Sequence, residues 1–231
     1  MAEPRLFAVS DLHLPGSHDK TMDVFGEHWT DHFIKISADW VRRVGTDDIV
    51  LIPGDISWAM RLEEAKDDIM RMAALPGRKV LIKGNHDFWW SSITRVRQML
   101  PPGMYAIQND AVFIDGLLFA GSRGWLMPAM AEGDDDAKIY ARELIRLEMS
   151  LRSARRIDAG ARLTVLTHFP PTGETGSSTP VTELMEKYSV DDVVYGHLHG
   201  QAFIHAFSGV LGSVRYHPVS CDGIGFQLYQ L

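Results

Sequence analysis

The sequence predicts an α/β fold in a single domain, residues 1–231, with more than one β-sheet. Short apolar segments alternate with helical patterns in the first part of the chain, whereas short β-rich segments follow later. Hydrophobic residues make up 45% of the chain, which suits one sizeable core. The Gly- and Ser-rich piece at 173–179 is too short to link two domains, and the sequence has no internal repeat.

A β-α-β-α-β succession is predicted for the first part. The predicted strands are the apolar runs 6–9, 49–52 and 80–82. The predicted helices lie at about 27–44, 61–74 and 91–100.

The later part mixes short strands with two further helices. An Asp-Gly turn at 115–116 predicts a hairpin within 105–121. Helix 134–157 begins with acidic residues and ends with arginines, as the helix macrodipole favours. The remaining predicted elements are strands 163–167 and 192–195, a helix at about 180–188, and a β-meander over 202–231.

Composition argues against several classes of protein. The net charge of −7 disfavours stable nucleic-acid binding, which requires a basic surface. The single cysteine, Cys221, excludes an intramolecular disulfide and a Cys-type zinc site. No apolar run approaches the roughly 18 residues of a membrane-spanning helix, and no signal peptide is recognisable at the start. We therefore expect a cytoplasmic protein without a membrane partner.

Polar side chains follow five of the predicted strands, at the point where each strand ends. They are Asp11 and His13, then Asp55, then Asn85, His86 and Asp87, then His168, and finally His197 and His199. Ligands bind at the carboxyl ends of strands in open α/β sheets. Carboxylate, amide and imidazole donors suit Mn²⁺, Fe or Zn²⁺. Seven potential ligands are too many for one tetrahedral ion, but two ions sharing a carboxylate would use them all.

The ordered motifs D-x-H, GD, GNHD, H and GH-x-H resemble those of the calcineurin-like metallophosphoesterase superfamily. The resemblance implies a four-layer α-β-β-α sandwich with two packed mixed sheets and a two-metal site at the strand ends. Protein serine/threonine phosphatases of the superfamily carry D-R-G after GD and use GNHE. Because this chain has ISWAM after GD and uses GNHD, it resembles the bacterial-type phosphohydrolases and phosphodiesterases more closely than the protein phosphatases.

Roles for the individual residues follow from the resemblance. One metal ligand set would be Asp11, His13 and His199, and the other would be Asn85, His168 and His197. Asp55 would bridge the two ions, and a hydroxide between them would attack the phosphorus. His86 would protonate the leaving oxygen or stabilise the transition state, and Asp87 would orient His86.

Substrate contacts are less well defined by the sequence. Arg123 follows a predicted strand and could bind a substrate phosphate, although an ordinary surface-loop arginine explains it somewhat better. Trp58 either lines the substrate mouth with Trp125 or anchors the next helix. His28 and His32 are four residues apart, but an ordinary helix face explains them better than a metal pair.

The sequence therefore predicts metal-dependent hydrolysis of a phosphate mono- or diester of a small molecule or nucleotide, with two divalent ions. Mn²⁺ is the first expectation, with Fe or Zn²⁺ as alternatives. A nuclease and a non-catalytic scaffold on the same fold are the alternative functions. The natural substrate and the oligomeric state are not determined by the sequence.

Overall fold

The computed structural model describes residues 3–16, 22–128, 133–173 and 176–231. Its helices are α1 (His32–Arg43), α2 (Lys66–Ala73), α3 (Ile93–Met99), α4 (Asp134–Ile157) and α5 (Pro180–Lys187). Shorter 3-10 segments occur at Asp23–Phe25, Glu27–Trp29 and Gly200–His205. No helix in these described ranges is long and apolar enough to cross a membrane.

The strands form two sheets. Those of the first sheet are β1 (Leu6–Ala8), β2 (Ile49–Ile52), β3 (Arg78–Leu81), β4 (Met104–Ala106) and β11 (Tyr229–Gln230). Those of the second sheet are β5 (Ala111–Ile114), β6 (Leu117–Ser122), β7 (Leu163–Thr167), β8 (Asp192–Tyr195), β9 (Gly209–Leu211) and β10 (Val214–Pro218).

Both sheets have a parallel centre, with one antiparallel edge strand in the first sheet and two in the second. The first has the order β11-β1-β2-β3-β4, in which only β11 runs antiparallel to its neighbour. The second has the order β5-β6-β7-β8-β10-β9, in which β5 and β9 are the antiparallel edges. Because the central strands are parallel, their carboxyl ends lie along one edge of each sheet.

The protein has four layers, namely helices, the first sheet, the second sheet and further helices, and an apolar cluster fills each of the three spaces between them. Alternate strand residues face opposite sides of a sheet, so Ala8 of β1 packs toward Phe119 and Leu166 of the second sheet. The residue before it, Phe7, belongs to the cluster that also contains Trp40 of α1. A third cluster joins the far side of the second sheet to α4 and α5. The predicted α-β-β-α sandwich with two mixed sheets is therefore confirmed.

Three predicted elements differ from the structure. The helix predicted at about 61–74 begins only at Lys66. The helix predicted at 27–44 begins at His32, because Asp31 has left-handed backbone geometry (φ 53°) and separates α1 from the 3-10 turn at Glu27–Trp29. The predicted meander over 202–231 is wrong. Its strand β10 instead joins β8 in parallel, and β11 crosses to the first sheet beside β1.

Candidate metal centre

The seven predicted metal ligands come together at the carboxyl ends of β1, β2, β3, β7 and β8. They are Asp11, His13, Asp55, Asn85, His168, His197 and His199. Asp55 follows β2 of the first sheet, whereas His168 follows β7 of the second. The centre therefore lies where the two sheets meet.

The first group of donors comprises Asp11, His13 and His199, whose candidate ligand atoms lie within 4.8 Å of one another. His199 Nε2 is 3.2 Å from Asp11 Oδ1. The opposite ring nitrogen, His199 Nδ1, is 2.9 Å from Oδ1 of Asp222. A carboxylate on the far nitrogen of a ligand histidine fixes the orientation of its ring.

The second group comprises Asn85, His168 and His197. Oδ1 of Asn85 is 2.6 Å from His168 Nε2 and 3.2 Å from His197 Nδ1. His168 Nδ1 lies 3.0 Å from the carbonyl oxygen of Pro53, which aims Nε2 at the other donors. This loop carbonyl thus has the role for His168 that Asp222 has for His199.

Asp55 lies between the two groups. Its Oδ2 is 3.8 Å from His13 Nε2 of the first group and 3.4 Å from His168 Nε2 of the second. Its other oxygen, Oδ1, accepts a hydrogen bond of 2.8 Å from the backbone N–H of His86. Asp11, Asp55 and His168 also form a set whose ligand atoms lie within 4.8 Å of one another.

Four of these residues have left-handed backbone geometry, which non-glycine residues seldom adopt. Their φ angles are 60° at Asp11, 42° at His13, 52° at Asp55 and 74° at His197. Such backbone conformations cost free energy and concentrate at functional sites. The strands therefore end in loops whose shape is set by the placement of the donor side chains.

Two glycines permit the donors to approach the backbone closely. A Cβ atom at Gly84 would lie 2.1 Å from Oδ1 of Asp55, and one at Gly196 would lie 2.4 Å from Oδ2 of Asp11. Both distances are far below van der Waals contact. The glycines of the GNHD and GH-x-H motifs are therefore required by the packing around the two carboxylates.

Burial lowers the pKa of His13 and of His197 to about 4, so both rings are neutral near pH 7. A neutral imidazole has a lone pair for a metal ion. His13 Nδ1 is in addition buried without a hydrogen-bond partner in the described part of the chain. A buried polar atom without a partner is costly unless a ligand satisfies it.

The pKa values of the other two histidines, His168 and His199, are raised instead of lowered. Burial would lower the pKa of His168, but the carboxylates of Asp55 and Asp11 raise it to about 9. Burial likewise opposes charge on His199, yet hydrogen bonds with Asp11 and Asp222 raise its pKa to about 10. The carboxylates thus attract positive charge to the points where metal ions would displace protons. Carboxylate, amide and imidazole donors fit a pair of divalent ions.

His86 and Asp87 differ in position and in contacts. His86 is half-buried, and its ring centroid lies 4.8 Å from that of Trp58 and 5.8 Å from that of His13. Asp87 is fully buried, and Oδ1 accepts hydrogen bonds from the N–H groups of Ile56 and Ser57 and from the Trp89 indole.

Asp87 does not bond the ring that the sequence analysis assigned to it. Its second oxygen accepts from the N–H of Gly84, and within the described residues no hydrogen bond joins its carboxylate to the His86 imidazole. Asp87 therefore holds together the loops that carry Asp55 and Asn85. Burial, together with the nearby charge of Asp55, raises the pKa of Asp87 to about 6.

A cavity of about 340 Å³ lies above the donors. His13, Asp55, His86, His197 and His199 contribute to its polar floor. Its rim is mainly apolar and includes Met22, Phe25, Trp29 and Trp58. The Trp58 ring stacks on His13 with centroids 4.6 Å apart and planes inclined by 18°. Trp58 thus lies at the mouth, while its packing against the core also fits an anchoring role.

Arg123 and Trp125 lie at other cavities. Trp125 donates to Asp136 through its indole N–H at 2.9 Å and packs against Phe169, beside a small adjoining cavity. The Arg123 guanidinium stacks on Trp125 at 4.4 Å and faces Glu143 at 3.5 Å. Neither side chain is among the described residues that line the cavity above the donors.

The residues outside the motifs include one functional candidate that the sequence analysis missed. Asp222, which bonds His199, lies in a turn after β10 and carries no motif that would single it out. Cys221 is buried beside it, and its thiol lies 3.1 Å from the carbonyl oxygen of Asp11. Nε2 of His32 lies 2.8 Å from the backbone carbonyl oxygen of Leu12 and Nδ1 lies 3.2 Å from that of Trp29, contacts that fit an ordinary structural histidine.

The fold and the grouped donors are those of a metallophosphoesterase. The family described as Calcineurin-like phosphoesterase matches residues 4–201, and the chain belongs to this family. Its members are hydrolases of phosphate esters, and the described residues include candidate metal ligands for that reaction.

Three proteins are similar to this chain in sequence or in fold. The Gene 66 protein of Mycobacterium phage D29 is 37% identical over 79 residues, which cover 34% of this chain and 38% of that protein. Two solved structures share the fold at 16% identity. Protein TT1561 of Thermus thermophilus has a TM-score of 0.59, with 100% of this chain and 99% of that chain covered. Protein AQ665 of Aquifex aeolicus, described as of unknown function, has a TM-score of 0.53, with 99% and 96% covered.

Proposed function

We propose that this protein hydrolyses a phosphate mono- or diester of a small molecule or nucleotide with two divalent metal ions, Mn²⁺ before Fe or Zn²⁺. The single observation that carries the proposal is the position of Asp55, whose Oδ2 lies 3.8 Å from His13 Nε2 and 3.4 Å from His168 Nε2. Two separate donor groups on either side of one carboxylate suit a pair of ions.

The proposed ligand sets follow the two donor groups. Asp11, His13 and His199 would hold one ion, and Asn85, His168 and His197 would hold the other. Asp55 would contribute to both sites. When bound, two divalent ions supply charge stabilisation for the phosphoryl oxygens and a more acidic water molecule. Asp222 and the Pro53 carbonyl keep His199 and His168 correctly oriented.

His86 is the proposed general acid. Its ring lies on the floor of the 340 Å³ cavity and is held against Trp58, whereas its backbone N–H is bound to Asp55. The ring can therefore face the leaving oxygen of a bound ester without being a metal ligand. Protonation of a leaving group by a positioned side chain contributes about 10²–10⁴ in rate.

The cavity favours a small substrate. Its volume of about 340 Å³ lies in the range of small-molecule pockets. The apolar rim formed by Met22, Phe25, Trp29 and Trp58 suits an aromatic or other apolar group on the ester. We also infer that residues 1–231 form one domain, because β11 near the end of the chain completes the first sheet beside β1.

The proposal is tested by hydrolysis assays on purified protein loaded with Mn²⁺, Fe or Zn²⁺. We expect metal-dependent cleavage of p-nitrophenyl phosphate, bis(p-nitrophenyl) phosphate or a member of a nucleotide panel. Single-stranded and nicked DNA are included, because rapid cleavage of DNA alone would favour a nuclease. If the fully metallated protein cleaves none of these substrates, the proposed function is wrong.

A further inference from the structure

A second cavity, of about 260 Å³, opens beside the metal centre at the ends of β3 and β6. Four cationic side chains contribute to its lining, namely Lys83, Arg123, Arg142 and Arg146. Glu143 is the one carboxylate among the described lining residues. Four positive charges against one negative charge leave a formal excess of three positive charges, in a chain whose net charge is −7.

The cationic side chains are more numerous than the pairing of Glu143 requires. The buried carboxylate of Glu143 pairs with Arg146 at 2.6 Å and with Arg123 at 3.5 Å. Within the described part of the chain, the one hydrogen bond of Lys83 Nζ is to the carbonyl oxygen of Trp90, at 3.5 Å. Arg142 is exposed and has no ion pair or side-chain hydrogen bond within the described residues. Lys83 and Arg142 therefore line the cavity without a hydrogen-bonded or ion-paired carboxylate among the residues that the structure describes.

The cavity is close to the metal centre, but it is separate. Lys83 directly precedes Gly84, where a Cβ atom would lie 2.1 Å from Oδ1 of Asp55. The carbonyl oxygen of Arg123 accepts a 3.0 Å hydrogen bond from the backbone N–H of His168. Among the described residues, no side chain lines both this cavity and the one above the donors.

We propose that this basic cavity binds a second anionic group of the substrate, a phosphate or carboxylate distinct from the ester phosphate that is hydrolysed. The inference rests on the proposed function, because it assigns the substrate class for the same site. Guanidinium groups suit oxyanions through paired N–H donors, and a concave wall concentrates their field. Lys83 and Arg142 are the proposed contacts, whereas Arg123 and Arg146 are held by Glu143.

The first test measures anion binding without any hydrolysis. Isothermal titration at low ionic strength gives the dissociation constant of inorganic sulfate, an uncleaved analogue of phosphate. We expect the R142Q and K83Q variants each to weaken binding at least about ten-fold. R152Q is the matched control, because Arg152 lies on the same helix but pairs with Glu148 on the exposed surface. Sulfate binding that is equal in the wild type and both cavity variants would overturn the site.

The second test asks whether the bound anion belongs to the substrate. Alkanediol bisphosphates of increasing length, each beside its monophosphate, are compared as inhibitors of p-nitrophenyl phosphate hydrolysis. We expect at least one bisphosphate to inhibit about ten-fold more strongly than its monophosphate. R142Q should remove this advantage, and R152Q should keep it.

The two tests fail in distinguishable ways. If sulfate binding depends on Arg142 but no bisphosphate has an advantage in the wild type, the cavity is an independent anion site and the substrate assignment is wrong. If no ester is cleaved at all, the proposed function fails, while the sulfate titration still decides whether the cavity binds an anion.

Discussion

Oδ2 of Asp55 lies 3.4 Å from Nε2 of His168, although the two residues follow strands of different sheets. The carboxylate thus lies between the two donor groups, each of which contains residues that follow strands of both sheets. A side chain in this position affects both groups when it is changed.

Asp55→Asn should therefore weaken both metal ions together, because the amide that replaces the carboxylate carries no negative charge. We expect each apparent affinity for Mn²⁺ to fall at least about ten-fold, as measured by titration and by elemental analysis after dialysis. D47N, at an exposed aspartate, is the matched control. Loss of only one ion would show that Asp55 does not bridge.

His86→Ala should keep both ions and lose most of the turnover. The side chain is the proposed acid, whereas the contact with Asp55 is made by the backbone N–H, which the alanine variant retains. We expect kcat to fall about 10²–10⁴-fold, with metal content unchanged. The exposed His205 provides a control, H205A. A variant that loses metal in proportion to activity would make His86 a ligand instead.

Asp87→Asn should act first on stability. The two carboxylate oxygens accept hydrogen bonds from the N–H groups of Gly84, Ile56, Ser57 and the Trp89 indole. In the asparagine variant an amide nitrogen would replace one oxygen, so that its N–H groups would face other N–H donors. We expect the free energy of unfolding in urea to fall by about 2 kcal/mol. Wild-type stability with a large loss of kcat would instead support the originally predicted action on the His86 ring.

The stability of the second sheet should depend on pH through Asp192. Burial would raise the pKa of this carboxylate, but hydrogen bonds from His217, Arg215 and Arg162 lower it well below its usual value. Since the folded-state pKa is lowered, the contribution of Asp192 is present above the unfolded-state value of about 4 and is lost as pH falls below it.

The D192N variant tests this dependence. Near pH 7 it should unfold about 3 kcal/mol more easily than the wild type, because three basic partners lose a buried carboxylate. The difference should shrink steadily as the pH is lowered past about 4. D47N, at an exposed aspartate, serves as the control. A difference that stays constant from neutral to acid pH would contradict the explanation.

The grouping of the candidate metal ligands was predictable because these residues directly follow the ends of strands. Buried apolar runs place Asp11, Asp55 and His168 at one edge of the sheets, and such runs can be recognised from the amino-acid sequence alone. The close approach of Gly84 to Asp55 could not be predicted from the sequence, because it depends on how two loops pack against each other.

Partners distant in sequence could not be predicted. Asp222 meets His199 across a 3-10 turn and two strands, so no spacing relates them. Alternation in the tail indicated strands correctly but not their partners, because pairing of β10 with β8 and of β11 with β1 is set by the whole fold. The same holds for Asp87. Its predicted contact was with the His86 ring, but its buried carboxylate instead accepts from the Trp89 indole and links two loops.

The central claim is that two donor groups hold two ions and that these ions are required for ester hydrolysis. It is tested most directly by counting ions per chain, by elemental analysis during stepwise Mn²⁺ loading, while p-nitrophenyl ester cleavage is followed on the same samples. The account predicts saturation at two ions per chain, with cleavage that rises as the sites fill and disappears on chelation. Saturation at one ion per chain or fewer, or cleavage that persists in metal-free protein, would contradict it.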